Sequence, residues 1–165
     1  MEEDVIFYEN QKFRQWWLWC GFLFFFIIQI YGLIQQIIFD KPFGNNPASN
    51  TTFVIIIIVY IGFIFFFYTI NFSTKILKDK EDIFIRYFPL QISYHKIHIK
   101  DIKKSYVRTY NPIIDYGGWG IRYGLRSSGL CYNVSGNKGL QLELKNGKLI
   151  LLGSQKPDEL KNILD

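Results

Sequence analysis

His95 and His98 are the two histidines of this 165-residue chain, and their closeness in sequence invites a metal reading. They alternate with Ile97 and Ile99, which reads as a strand, and residues three apart on a strand point to opposite faces. The spacing predicts two structural or solvated histidines, and no metal or other cofactor is expected. The carboxylates Asp101, Asp115 and Glu143 are scattered, so no acid–base pair stands out. The glycine clusters match neither the phosphate-binding loop nor the dinucleotide fingerprint. Ser135 and Cys131 lack a nucleophile context such as G-x-S-x-G. No catalytic residue is assigned, and the chain is expected not to be an enzyme.

The stretch 116–138 is more suggestive of binding. It carries Arg122, Arg126 and Lys138 beside glycines whose bare amides could cradle an anion, with Trp119 available to stack on a partner. These four are the candidate anion- or partner-binding residues. The competing reading is a set of bulges that bend a sheet, with Trp119 in the core and the basic residues solvated.

Behind these residues lies a sharp division of composition. The mean hydropathy is only +0.07, yet Phe and Ile crowd the first half. Residues 73–165 hold 16 of the 19 Lys and Arg and 9 of the 14 Asp and Glu, a net charge of +7. Such asymmetry points either to an anionic neighbour, lipid headgroups or nucleic acid, or to a solvated surface that merely happens to be basic. The aromatics follow strand periodicity rather than a basic–aromatic platform, so nucleic acid ranks last. Cys20 and Cys131 are far apart and offer neither a disulfide framework nor a metal-ligand spacing.

Residues 16–39 and 53–72 contain no charge, and each run is long enough to cross a bilayer as a helix. Trp16, Trp17 and Trp19 open the first run, where indoles favour the headgroup level. A cleaved leader is disfavoured: Glu2, Glu3, Asp4 and Glu9 precede the run, and no small-residue cleavage site follows. The Pro-, Gly- and Asn-rich residues 40–52 fit a short extracytoplasmic loop closing a hairpin. Lys12 and Arg14 precede the helices and Lys75, Lys78 and Lys80 follow them, against Lys41 alone in the loop. A multi-pass protein of the cytoplasmic membrane with both termini cytoplasmic is expected. Gln29, Gly32 and Gln36 share one face of the first helix, and Gly62 in the second could supply a facing notch. Packing within the hairpin is the preferred role of these four, and a homo-oligomer seam is the alternative.

The division is therefore a terminal segment 1–15, helices 16–39 and 53–72, a linker 73–82 and a domain 83–165. In that domain the period falls to two. About seven short strands are expected, with Asn146-Gly147 the strongest hairpin signal. A last helix begins at Pro157, has Asp158 and Glu159 in its first turn, and carries a Leu160, Ile163, Leu164 stripe.

Strands in a meander, a late hairpin and a terminal amphipathic helix resemble bacterial pleckstrin-homology-like domains. The segments G-G-W-G-I-R-Y-G (117–124), Y-N-V-S-G-N-K-G (132–139) and 142–160 are similar to small bacterial two-helix membrane proteins without an assigned activity. The resemblance implies an α+β membrane protein: a transmembrane hairpin, then a seven-stranded PH-like barrel or sandwich capped by a helix. It carries no catalytic residue over. The expected function is a non-catalytic binding or scaffold module held in the lipid bilayer, with a protein as partner. Recognition of anionic lipid headgroups is the second reading, and a membrane-surface enzyme the third.

Overall fold

The computed structural model describes residues 4–79, 81–124 and 128–165. The chain forms two compact units, residues 14–69 and residues 1–13 with 70–165.

The first unit is helical. Helix α1 (Trp16–Leu33) continues into a π-helical turn (Ile34–Ile38), and α2 is Asn50–Thr69. At 1.5 Å per residue the spans of 23 and 20 residues are roughly 34 and 30 Å long. Both are long and apolar enough to cross a membrane, and in α1 and α2 only Gly32 and Ile57 are buried. Tyr60 Oη donates to the Phe22 carbonyl at 2.9 Å, and Phe22 meets Phe63 and Phe67 edge-on.

The second unit is β-rich. Its first sheet has the order β1 (Val5–Lys12), β2 (Asn71–Leu77), β3 (Asp82–Phe88), β4 (His95–His98), an antiparallel meander. The second sheet contains β5 (Ile102–Thr109), β6 (Gly120–Tyr123), β7 (Leu130–Asn133), β8 (Lys138–Leu144) and β9 (Leu149–Gly153). Its order is β5-β8-β9-β7-β6, with β7 and β9 parallel. Strand β9 thus inserts between β7 and β8, so this sheet is not the meander the sequence suggested. A five-residue helix α3 (Pro112–Tyr116) follows β5, and α4 (Pro157–Leu164) packs on β5 and β8 with Leu160 buried.

Seven strands lie within 82–165, as the alternation implied, but the unit has nine among the described residues. The stretches read as a terminal segment and as a linker contain β1 and β2. Phe7, Glu9 and Gln11 alternate inward on β1, and two polar residues among three concealed the strand pattern. Residues 70–72 look helical by their lack of charge, but Asn71 and Phe72 pair with Lys12 and Gln11. Residues 1–13 add one lysine and four acids, which lowers the domain's net charge from +7 to +4.

Period-two alternation also builds the core. Phe72, Ile76, Ile83, Ile85 and Tyr87 are buried on the first sheet, and Phe72 stacks on Tyr132 of the second at 5.9 Å between ring centres. A smaller cluster of Tyr110, Tyr116, Cys131 and Leu151 is buried beside α3.

Candidate functional site

The register gives the β-rich unit two distinct ends. One is marked by the rung Lys12–Asn71–Phe88, from which the chain leaves toward α1 and to which it returns from α2. The other holds the rung Asp82–His98, the Asn146-Gly147 turn and Tyr123 paired with Leu130.

At this far end a groove of about 770 Å³ opens between the sheets. Ile85, Ile97, Leu130, Tyr132, Leu149 and Ile150 form its apolar lining. His95, Lys96, His98, Tyr123, Asn146 and Lys148 supply polar groups. Strand β4 forms one wall and is the edge of its sheet. The size suits a ligand segment, and apolar walls with a few polar groups are how such sites gain both affinity and orientation.

The wall is held by charge. Asp82 is buried, with His98 Nδ1 at 2.5 Å and Lys96 Nζ at 3.7 Å from its oxygens. The opposite wall depends on Gly129, where φ is +78° and an added Cβ would sit 2.2 Å from the Leu149 carbonyl oxygen. No side chain fits there, and the backbone approach closes the wall. His95 and His98 are on a strand as their alternation predicted, and His98 is engaged with Asp82. Among the described residues no three potential metal ligands gather.

Of the four residues read as an anion patch, the three among the described residues do not converge. Arg122 Nε donates to the Trp119 carbonyl at 3.2 Å, so these two form a local pair. Lys138 begins β8, three strands from β6, roughly 14 Å across at the usual inter-strand spacing. Arg126 lies outside the described residues. The glycine amides are also occupied. Gly117 N–H and Gly118 N–H donate to the carbonyls of Ile113 and Pro112, capping α3, and Gly120 N–H donates to Asn133 Oδ1 at 2.8 Å. These amides close turns rather than cradle an anion.

Asn133 is a buried hub. Its Nδ2 donates to Tyr110 Oη at 3.1 Å, and its carbonyl accepts from Tyr87 Oη at 3.4 Å. Burial pushes the Cys131 thiol up to about 12, with the nearby Arg108 guanidinium pulling the other way. A thiolate nucleophile needs the opposite shift. Burial likewise raises Tyr116 to about 12 and moves Tyr87 and Tyr110 upward. These groups hold their protons at neutral pH.

In the helical unit, Gly32 is buried against Phe43 and Phe53, where an added Cβ would approach within 2.7 and 2.8 Å. Gly62 is not the facing notch: an added Cβ there meets nothing within 4 Å. The aromatic rings of the connection and of the start of α2 fill the space instead. Gln36 Nε2 donates to the Ala48 carbonyl at 2.7 Å and to Asn50 Oδ1 at 2.8 Å, so it ties the connection down. Gln29 Oε1 is shielded and has no hydrogen-bond donor among the described residues.

Sequence reasoning missed the groove because its walls come from six strands. The alternation of His95, Lys96, Ile97 and His98 and the Asn146-Gly147 turn were legible, but their meeting was not. Comparison with known families places the whole arrangement in one lineage. The model of a family of unknown function, DUF6141, matches residues 1–164, through both units, and the chain belongs to that family. No curated protein matches it.

Proposed function

We propose that this DUF6141 protein is a membrane-anchored, non-catalytic binding module whose groove holds an extended segment of a protein partner. The groove carries this reading. It combines an apolar lining, a rim of Lys96, His98 and Lys148, and an edge strand, β4, to which a further strand could add its backbone hydrogen bonds. Lys148 favours an acidic side chain in that segment, while Asp82 pairs with Lys96 and His98 and Asp101 adds a carboxylate to the same lining. Cys131, the thiol of the domain, is buried and held protonated, which speaks against thiol catalysis.

The membrane reading is supported by two apolar helices of which little is buried, unlike core helices of a soluble fold. The pairing of β1 with β2 adds a constraint. A strand before the first helix bonds to a strand after the second, and no ladder can form through a bilayer, which favours two crossings over one. The basic flanks Lys12, Arg14, Lys75, Lys78 and Lys80 favour the cytoplasmic side of the cytoplasmic membrane for both termini. Two sheets and a terminal helix keep the PH-like reading in view, although nine strands and a parallel β7–β9 pair depart from a seven-stranded meander.

The test is site-specific photocrosslinking in cells. A photoreactive residue at Tyr123, exposed at the groove mouth, should give a discrete adduct that Lys148→Glu weakens. The same residue at Asn137, exposed at the helix-linked end, should not give that adduct. Equal adducts at both positions, or none at Tyr123, would refute the groove as the partner site.

A further inference from the structure

The exposed aliphatic side chains of the β-rich unit are unevenly distributed. Among the described residues four are more than three-fifths exposed: Leu90 at 63%, Ile92 at 77%, Ile113 at 62% and Ile114 at 68%. Single exposed aliphatics are ordinary. These four form two pairs on two loops, and both loops belong to the helix-linked end.

The first pair is on the β3–β4 loop, which begins directly after Phe88 of the rung Lys12–Asn71–Phe88. Asn71 is two peptide steps from Thr69, the end of α2, and Lys12 is four steps from Trp16, the start of α1. The loop is not slack: Gln91 N–H donates to the Tyr87 carbonyl at 2.7 Å. The second pair is on α3. Tyr110, just before α3, accepts from Asn133, and the Asn133 carbonyl accepts from Tyr87, the neighbour of Phe88. The two prongs therefore rise from the same end of the domain.

Cations accompany them. Lys12 stands on the last rung, Lys138 is exposed opposite Thr109, and Arg86 is stacked 4.7 Å over the Tyr94 ring beside the loop. The acid nearest the second prong, Asp115, lies 3.6 Å from Arg108, which offsets its charge. Apolar tips ringed by cations match an anionic bilayer surface, where aliphatic groups enter the acyl boundary and Lys or Arg meet headgroups.

We infer that the helix-linked end of the domain docks on the anionic bilayer that holds the hairpin, inserting Leu90 with Ile92 and Ile113 with Ile114 as two prongs. The opposite end, with the groove, is then held away from the lipid and open to a partner. The inference rests on the membrane reading above but not on the groove's occupant.

The full chain, reconstituted in vesicles of three parts phosphatidylcholine to one part phosphatidylglycerol with a shallow spin-labelled lipid, supplies the test. Single environment-sensitive fluorophores are placed at native Cys20 and, in a Cys20→Ser background, at Ile92→Cys, Ile114→Cys and Lys100→Cys. Lys100 is exposed just beyond His98, at the far end. Docking predicts strong quenching at Cys20, Ile92 and Ile114 and several-fold weaker quenching at Lys100. It also predicts that the Ile92 and Ile114 signals fall in phosphatidylcholine alone. Quenching at Cys20 with none at Ile92 and Ile114 would overturn the docking and leave the hairpin reading intact. No quenching at Cys20 would overturn both. Equal quenching at Ile92 and Lys100 would also overturn the docking, because the domain would have no preferred face.

Discussion

Glu9 and Ser154, 145 residues apart in sequence, share a hydrogen bond of 2.5 Å in the interior of the β-rich unit. The second carboxylate oxygen of Glu9 accepts from the Gln155 backbone N–H at 2.7 Å, and Gln11 Nε2 donates to the Gly153 carbonyl at 2.7 Å. Strand β1 is thus fastened to the turn between β9 and α4 as well as to β2. The N-terminal residues are part of the domain, and the helical unit is an excursion from it.

Glu9→Ala removes the acceptor for the buried Ser154 hydroxyl and the part-buried Gln155 N–H. Hydrogen bonds to charged groups contribute about 1.5–3 kcal/mol, so the domain should lose stability on that order. Ser154→Ala keeps the Gln155 contact but also removes the acceptor of the Lys156 N–H, so it should cost a comparable amount. Denaturant unfolding in mild detergent measures both. The double variant should fall short of the sum of the two, since the residues share one bond.

Much of the fold was legible in the sequence. The two apolar runs, the terminal helix from Pro157 and the Asn146-Gly147 hairpin all follow from local pattern, because each is decided by a dozen or so consecutive residues. Strand β1 was not legible, since Glu9 and Gln11 look like surface residues and find their partners only at Gly153, Ser154 and Gln155. The patch of Trp119, Arg122 and Lys138 failed for the complementary reason. Nearness along the chain does not survive a sheet order in which β8 and β6 stand three strands apart.

Two glycines with similar backbone angles should respond differently to alanine. Gly147→Ala, at φ +82° with open space, should cost only the left-handed penalty, roughly 1–2 kcal/mol. Gly129→Ala adds a clash with Leu149 and should destabilise the domain further and weaken the Tyr123 photoadduct. Thermal unfolding ranks the two variants.

The hairpin offers a second matched pair. Gly32→Val collides with Phe43 and Phe53 and should lower the hairpin's resistance to dodecyl sulfate, whereas Gly62→Val should be tolerated. Gln36→Leu should cost about 0.6 kcal/mol for each lost inter-segment bond. A dodecyl sulfate titration followed by circular dichroism reports all three.

Alkaline pH should destabilise the β-rich unit before acid chemistry matters to its tyrosines and thiol. Burial pushes Cys131 and Tyr116 up to about 12 in the folded protein, from ordinary values of 9.0 and 10.0 in the unfolded chain. The unfolded chain therefore loses these protons first, and the stability they contribute is complete below about 9 and lost as pH rises toward 12. Cys131→Ala should flatten the first part of that decline, measured as the denaturant midpoint against pH. In the folded protein Cys131 should resist aqueous thiol reagents at pH values near neutrality and react once the domain unfolds.

The central claim is a hairpin that crosses the membrane twice and returns the chain to the domain it left. Impermeant maleimide labelling of single cysteines in sealed cells tests it directly, in a Cys20→Ser background. Asn46→Cys, in the connection between the helices, should be modified from outside. Asn146→Cys, at the far end of the domain, should be modified only after the cells are permeabilised. Modification of both positions from the same side of an intact membrane would contradict the account.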